Sequence, residues 1–256
     1  DIDINAQSLY REEGMYTTTN YEEGNGTKLQ GLEGKSSRVT AEAEWKRSFV
    51  AENGFVLTPI LHARGDAIYT DLSAGAANEI NSFGPSENGV RSAYYRSMAT
   101  AGLEARWPIL FSTASSTHVL EPMAQIFARP NEPYHDRVGI PNEDAQSMVF
   151  DATTLFERDK FSGYDRIEGG TRANIGLRYS GTFAAGWTAH GLFGQSYHLA
   201  GANSYAAPDL VHAGAYSGLE SDVSDYVGQF GIVTPNGLAF SAAGRFDEET
   251  FELRRA

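Results

Sequence analysis

The chain has no cysteine among its 256 residues, so neither a disulfide framework nor thiolate chemistry is open to it. It also lacks any apolar run approaching the roughly 18 residues of a membrane-crossing helix. A basic footprint is missing too: 20 Lys and Arg stand against 33 Asp and Glu, a formal net charge of −13. That balance argues against nucleic acid as a partner, since binding it depends on Lys and Arg contacts that release counterions. No polybasic segment offers a dock for anionic lipid either. The GxSxG, GxGxxG, P-loop and HExxH patterns are absent, and the commonest signatures of hydrolases, dinucleotide enzymes, phosphoryl-transfer enzymes and zinc proteases go with them.

What the chain does have is glycine (27), tyrosine (13) and phenylalanine (14), set in stretches that alternate apolar and polar residues. Beyond the charged, glycine-punctuated segment 156–171, Ala173, Ile175, Leu177 and Tyr179 alternate with Arg172, Asn174, Arg178 and Ser180. A period of two gives a strand one apolar and one wet face. Ser180-Gly181 reads as a tight turn into a second strand over 183–199. There Phe183, Ala185, Trp187, Ala189, Phe193, Tyr197 and Leu199 oppose Thr188, His190, Ser196 and His198. The same pattern places strands at 38–51, 55–70, 91–107, 117–130, 225–234 and 238–247, with outermost strands from 1–10 and from Thr250 onward. Asn53-Gly54 is a two-residue hairpin signal, and Pro235-Asn236-Gly237 reads as a turn.

Long polar connections near 12–37, 71–90, 131–170 and 200–224 alternate with short ones. Together with strands longer than the roughly 9–11 residues that cross hydrocarbon, this asymmetry points to an all-β fold, an antiparallel transmembrane β-barrel of outer-membrane type. The chain supplies about ten strands of a larger barrel, all of 1–256 belonging to that one domain, and it reads as a piece of a longer polypeptide. Aromatics toward both strand ends, Phe183 and Trp187 against Phe193 and Tyr197, suit two interfacial girdles. Mean hydropathy is negative, as in a soluble protein, but the polar lumen residues of a barrel dilute its lipid-facing ones. Ala43, Trp45, Leu103, Ile175, Leu177, Trp187 and Ala189 are then expected to face lipid. Glu42, Glu44, Arg64, Arg96, Glu104, Arg106, Arg172, Arg178 and His190 are expected to line the lumen.

No catalytic, cofactor or metal site emerges. The six histidines are scattered, and His190 and His198 lie on one polar face but eight residues apart. Asp1, Asp3, Asn5 and Glu12 mimic the ligand spacing of an EF-hand loop, yet Ala6 stands where the sharp turn needs glycine and Ile2 and Ile4 alternate as in a strand. Adjacent acids such as Glu12-Glu13 and Glu248-Glu249 fall in loops. Nothing in the sequence brings Glu121 and Asp165 together as an acid/base pair, and Asp165-Arg166 reads as a loop-fixing ion pair. Pro122, inside a strand, marks a bulge or bend.

Leu120-Glu121-Pro122-Met123-Ala124-Gln125, Ile140-Pro141-Asn142-Glu143-Asp144 and Phe161-Ser162-Gly163-Tyr164-Asp165-Arg166-Ile167-Glu168 carry a resemblance. In this order, with Phe150-Asp151, Leu155-Phe156, Ser224-Asp225-Tyr226-Val227-Gly228 and the ending Glu252-Leu253-Arg254-Arg255, they resemble the C-terminal β-barrel domain of the LptD (OstA) family. The likeness is to an alphaproteobacterial member, as an internal fragment. It spans about 120–256, while 1–119 matches only in style. Glu121, Pro122, Gln125, Pro141, Asn142, Asp144, Gly163, Asp165 and Arg166 are the motif positions to which it assigns a structural role. The resemblance implies an outer-membrane barrel of Gram-negative bacteria that inserts lipopolysaccharide into the outer leaflet. It further implies a plug lipoprotein, LptE, in the lumen and a periplasmic LptA-type bridge reached through an N-terminal jellyroll domain. Cysteines that family members often carry between barrel and periplasmic domain have no counterpart here. A diffusion porin or other outer-membrane channel is the alternative reading, followed by an outer-membrane enzyme and a soluble β-domain.

Overall fold

The computed structural model describes residues 1–21, 24–82, 90–134, 140–207 and 209–256, with side chains described outside 16–27 and 82. The strands are β1 (Ile2–Arg11), β2 (Met15–Tyr21), β3 (Gly24–Gly31), β4 (Gly34–Lys46), β5 (Phe49–Val50), β6 (Val56–Leu72) and β7 (Ala93–Arg106). They continue with β8 (Ile109–Ser112), β9 (Thr117–Ala128), β10 (Thr171–Thr182), β11 (Thr188–Ala200), β12 (Tyr226–Val233), β13 (Ala239–Phe246) and β14 (Leu253–Arg255), and a helix, α1, spans Ala74–Ser82. One antiparallel sheet runs in the order β1-β4-β6-β7-β9-β10-β11-β12-β13-β14, with β5 and β8 as short additions on β6 and β9. These ten successive strands are the wall that the alternation predicts. Among the described residues β1 and β14 do not pair with each other, so the wall is open.

Its two faces follow from the period of two. Along β6, His62, Arg64, Asp66 and Thr70 are buried while Leu61, Ala63, Gly65, Ala67 and Tyr69 are exposed. Because the register is unshifted, like residues meet across strands. Ala43, Ala63 and Ala99 form one row on the outward face, and Thr40, Asp66 and Arg96 form one on the inward face. Large apolar side chains remain bare outside, including Ile4, Trp45, Leu61, Leu103, Ile126, Ile175, Leu177 and Phe193. A water-soluble sheet would not leave so continuous an apolar face uncovered.

The described residues of the long connections lie at one end, where they pack on each other and over the inward face. Ala145, Phe150, Leu155 and Phe161 from the β9–β10 connection form a small core with Tyr205, Val211 and Leu219 from the β11–β12 connection. Leu29, Leu32, Ile80 and Leu210 form another, fastened by a backbone hydrogen bond from Leu29 to Leu210.

Several boundaries differ from expectation. The connection 12–37 holds the β2–β3 hairpin and the start of β4, and 71–90 holds α1, whose Ser73 hydroxyl caps the Ala76 N–H. Strand β10 runs through Ser180-Gly181 to Thr182, and the turn is 183–187, where Ala185 has φ of 61°. Phe183, Ala185 and Trp187 therefore belong to a turn rather than to a strand. Ala189 sits in the outward column, opposite Gly181 and Ile232, but is itself covered. Pro122 makes no bulge: β9 keeps its register with β10 through it. Its missing N–H falls where the other edge of β9 changes partner from β8, at Ile109↔Leu120, to β7, at Arg106↔Met123. The break expected in β9 is carried by Trp107-Pro108 between those partner strands.

Candidate functional site: an ion-paired strap on the inward face

The connection from β9 to β10 folds back over the inward face as a strap, and two carboxylates tie it into a knot. Asp144 accepts the N–H groups of Tyr164 (2.7 Å) and Asp165 (3.0 Å). In return Asp165 accepts those of Glu143 (2.7 Å) and Asp144 (3.2 Å). Asn142 closes its own turn on both polar groups of the Ala145 backbone. Gly163 has φ of +76°, and a Cβ there would lie 2.3 Å from the Asp144 carboxylate. Both the left-handed backbone and the lack of space require glycine.

Three arginines on adjacent strands hold this knot to the wall. Arg38 (β4) pairs with Asp165, and Arg64 (β6) donates to the Tyr164 carbonyl. Arg96 (β7) donates to the carbonyls of Asp165 (2.7 Å) and Tyr164 (3.1 Å). Arg38 and Arg64 also lie over the Tyr164 ring, 5.3 and 5.6 Å from its centroid. On the first strand, Arg11 reaches Glu143 at 2.5 Å, and Asp3 accepts the Tyr164 hydroxyl at 2.9 Å.

A second row of charges follows along the strap. Arg166 pairs with Asp209 and, at 3.4 Å, with Glu132, which ties the strap to the neighbouring connection. Glu168 sits between Arg172 at 2.7 Å and Arg129 at 3.3 Å. Burial works to raise the Glu168 carboxyl, but the Arg129, Lys160 and Arg172 cations overcome it and hold it down at about 2. Burial lowers Lys160 to about 8 despite the attraction of Glu168. It raises Asp159, next to Glu168, and Glu132 in spite of Arg166.

Every lumen-lining candidate lies on the inward face. The strap covers Arg64, Arg96 and Arg172. Glu42, paired with Arg64 at 3.0 Å, and Glu44, paired with Arg158 at 3.3 Å, lie at its edge. Toward the short turns Glu104 pairs with Arg106 at 3.0 Å, and Glu121 bridges Arg106 and Arg178. Gln125 links Glu104 to Asn174. His190 lies exposed over Gly231. Of the motif positions, Asn142, Asp144, Gly163, Asp165 and Arg166 meet in or beside the knot, and Pro141 lies near Arg38 and Asp165. Glu121 and Asp165 serve different cations. Of the EF-hand-like residues, Asp3 and Asn5 lie in β1 and Asp1 precedes it.

Sequence reasoning missed Arg38, Asp66, Glu132, Glu168 and Asp209. Alternation puts Arg38 and Asp66 on the wet face, but nothing local singles them out. Asp225, Asp247 and Glu248 bring three carboxylates together at the long-loop end. Arg245, 3.1 Å from Asp225, already supplies a cation there. Burial and the Glu248 carboxyl push Asp225 up to about 6.

Among the described residues no helix is long and apolar enough to cross a membrane, a fact that leaves crossing by strands untouched. An antiparallel wall with an apolar outward face, a polar ion-paired inward face and long connections gathered at one end is that of an outer-membrane-type β-barrel. The family model for LPS transport system D, LptD, matches residues 1–256, and the chain belongs to that family. Its role is lipopolysaccharide transport and assembly, and its fold is an outer-membrane β-barrel. No curated protein matches the chain by sequence.

Proposed function

We propose that residues 1–256 lie in the outer membrane as part of one barrel domain, whose inward residues line the lumen and whose strap, 140–170, obstructs it until lipopolysaccharide passes. The reciprocal Asp144–Asp165 knot, held by arginines from three neighbouring strands, is the observation that carries this reading. Passage of lipopolysaccharide makes and breaks no covalent bond, so the chain acts without catalytic residues or cofactor. Its inward charges are paired with one another. An anionic saccharide therefore meets a wall of near-balanced charge despite the acidic sequence. The plug lipoprotein LptE sits in the lumen against the strap, and an LptA-type bridge delivers lipopolysaccharide through a periplasmic domain outside these residues.

The test is to place cysteines at Arg38 and Asp165 of the full-length protein and join them with a reducible bifunctional reagent. Cross-linking is expected to stop delivery of lipopolysaccharide to the cell surface, and cleaving the reagent to restore it. Undiminished delivery through the cross-linked protein would show that the strap does not gate the path.

A further inference from the structure

Between the strap and the wall, bounded by Arg64 and by Gly163 and Tyr164 of the knot and reaching toward the short turns as far as Thr100, lies a cavity of about 270 Å³. We infer that it is a binding site for one neutral sugar ring. The inference rests on the lipopolysaccharide reading above, because it names the part of that substrate the site would take.

Three observations point there. The first is Thr100, which lines the cavity, is 3 % exposed, and has no partner for its hydroxyl. A buried hydroxyl left unpaired is costly, and a ligand hydroxyl would satisfy it.

The second is charge. Arg64, Arg129 and Arg158 face Glu42, Asp159 and Glu168 in the lining. Arg64 and Arg158 pair with Glu42, and Arg129 with Glu168. With cations and anions equal in number, the lining holds no surplus charge to favour a phosphate or a metal ion. It offers donors and acceptors side by side, which suits hydroxyl groups.

The third is shape and access. Met98 and Ile167, both buried, give the lining an apolar patch, as the C–H face of a pyranose requires. The volume falls just under the roughly 300–1,000 Å³ of ordinary small-molecule sites, so the ligand is small. The side chains of Arg158 and Glu42 stay 26 % and 18 % exposed, so solvent reaches the lining there. Glu42 and Thr100 lie on the short-turn side of Arg38 and Arg96 along their strands. A saccharide approaching from that end would reach the cavity before the knot.

The experiment uses full-length protein in detergent with its partner lipoprotein, titrated with D-glucose, N-acetyl-D-glucosamine and, as the charged comparator, inorganic phosphate. Binding is read by saturation-transfer NMR. Thr100→Val keeps the shape and removes only the unpartnered hydroxyl, so the barrel should keep its thermal stability. Sugar affinity should weaken at least 5-fold, and Thr100→Phe, which fills the cavity, should abolish it. The inference is overturned if neither sugar binds, if phosphate binds in their place, or if both variants bind sugar like the parent. Failure here with a cross-linked strap that still blocks delivery would leave the gating proposal standing. The reverse result would sink gating and keep the sugar site.

Discussion

Replacing Glu168 with Gln is expected to destabilise the strap by about 3–5 kcal/mol, the usual cost of removing one partner from a buried ion pair. Glu168 is 1 % exposed and is the anion that Arg129, Lys160 and Arg172 share. The substitution keeps volume and shape but leaves three cations in a buried site with one carboxylate fewer, Asp159 still facing Arg129 and Lys160. Among the described residues Lys160 donates to the Glu157 carbonyl and to Asn174. Hydrogen exchange in the full-length protein should show residues 157–172 losing protection while the middle of β6 keeps it. Protection equal to the parent would mean that Glu168 does not hold the strap. The same carboxylate sets an acid limit. Its folded pKa of about 2 lies below the unfolded value of about 4.3. The stability it contributes is complete above the unfolded value and is lost as pH falls from there through 2.

Ala63→Arg should be nearly as damaging for a different reason. Ala63 is exposed at mid-length in β6, between Ala43 and Ala99, so its Cβ points away from the charged inward row. An arginine on the lipid face at mid-depth costs about 2–4 kcal/mol, falling to about 0–1 kcal/mol near the interface. Ser37→Arg, on the outward face at the long-loop end, should therefore cost little. The contrast is informative because Arg64, one residue along, is native and buried on the other face. Folded-barrel yield in lipid vesicles over a urea series measures the difference. Equal yields for the two variants would place Ala63 outside hydrocarbon.

The wall was legible in the sequence because a strand repeats every second residue, so one apolar column fixes both faces. Glu42, Arg64, Arg96 and Arg178 therefore share one face with the other polar residues of their strands. The turn at 183–187 was not, since Phe183, Ala185 and Trp187 continue the alternation through it. Gly186, at φ of +83°, was its local signal. Helix α1 was hidden among Ser, Asn and Gly, though Ala76 and Ile80, four residues apart and both buried, mark its inner face. The strap was visible only as a long charged loop. Its contacts join residues such as Arg38 and Asp165, which are 127 positions apart. A period of two shows which face a charge is on, but not which distant carboxylate it meets. The family resemblance drew attention to Asp144, Gly163 and Asp165, and the reciprocal hydrogen bonds supply the physical reason for those residue types.

The most direct test is a nitroxide scan of residues 60–67 in β6, in full-length protein reconstituted into bilayers, with oxygen and a water-soluble nickel chelate as collision partners. Leu61, Ala63, Gly65 and Ala67 should show high oxygen and low nickel accessibility. His62, Arg64 and Asp66, under the strap, should be shielded from both. Nickel reaching the odd-numbered positions, or no alternation along the strand, would contradict a wall with lipid outside and a strapped polar interior.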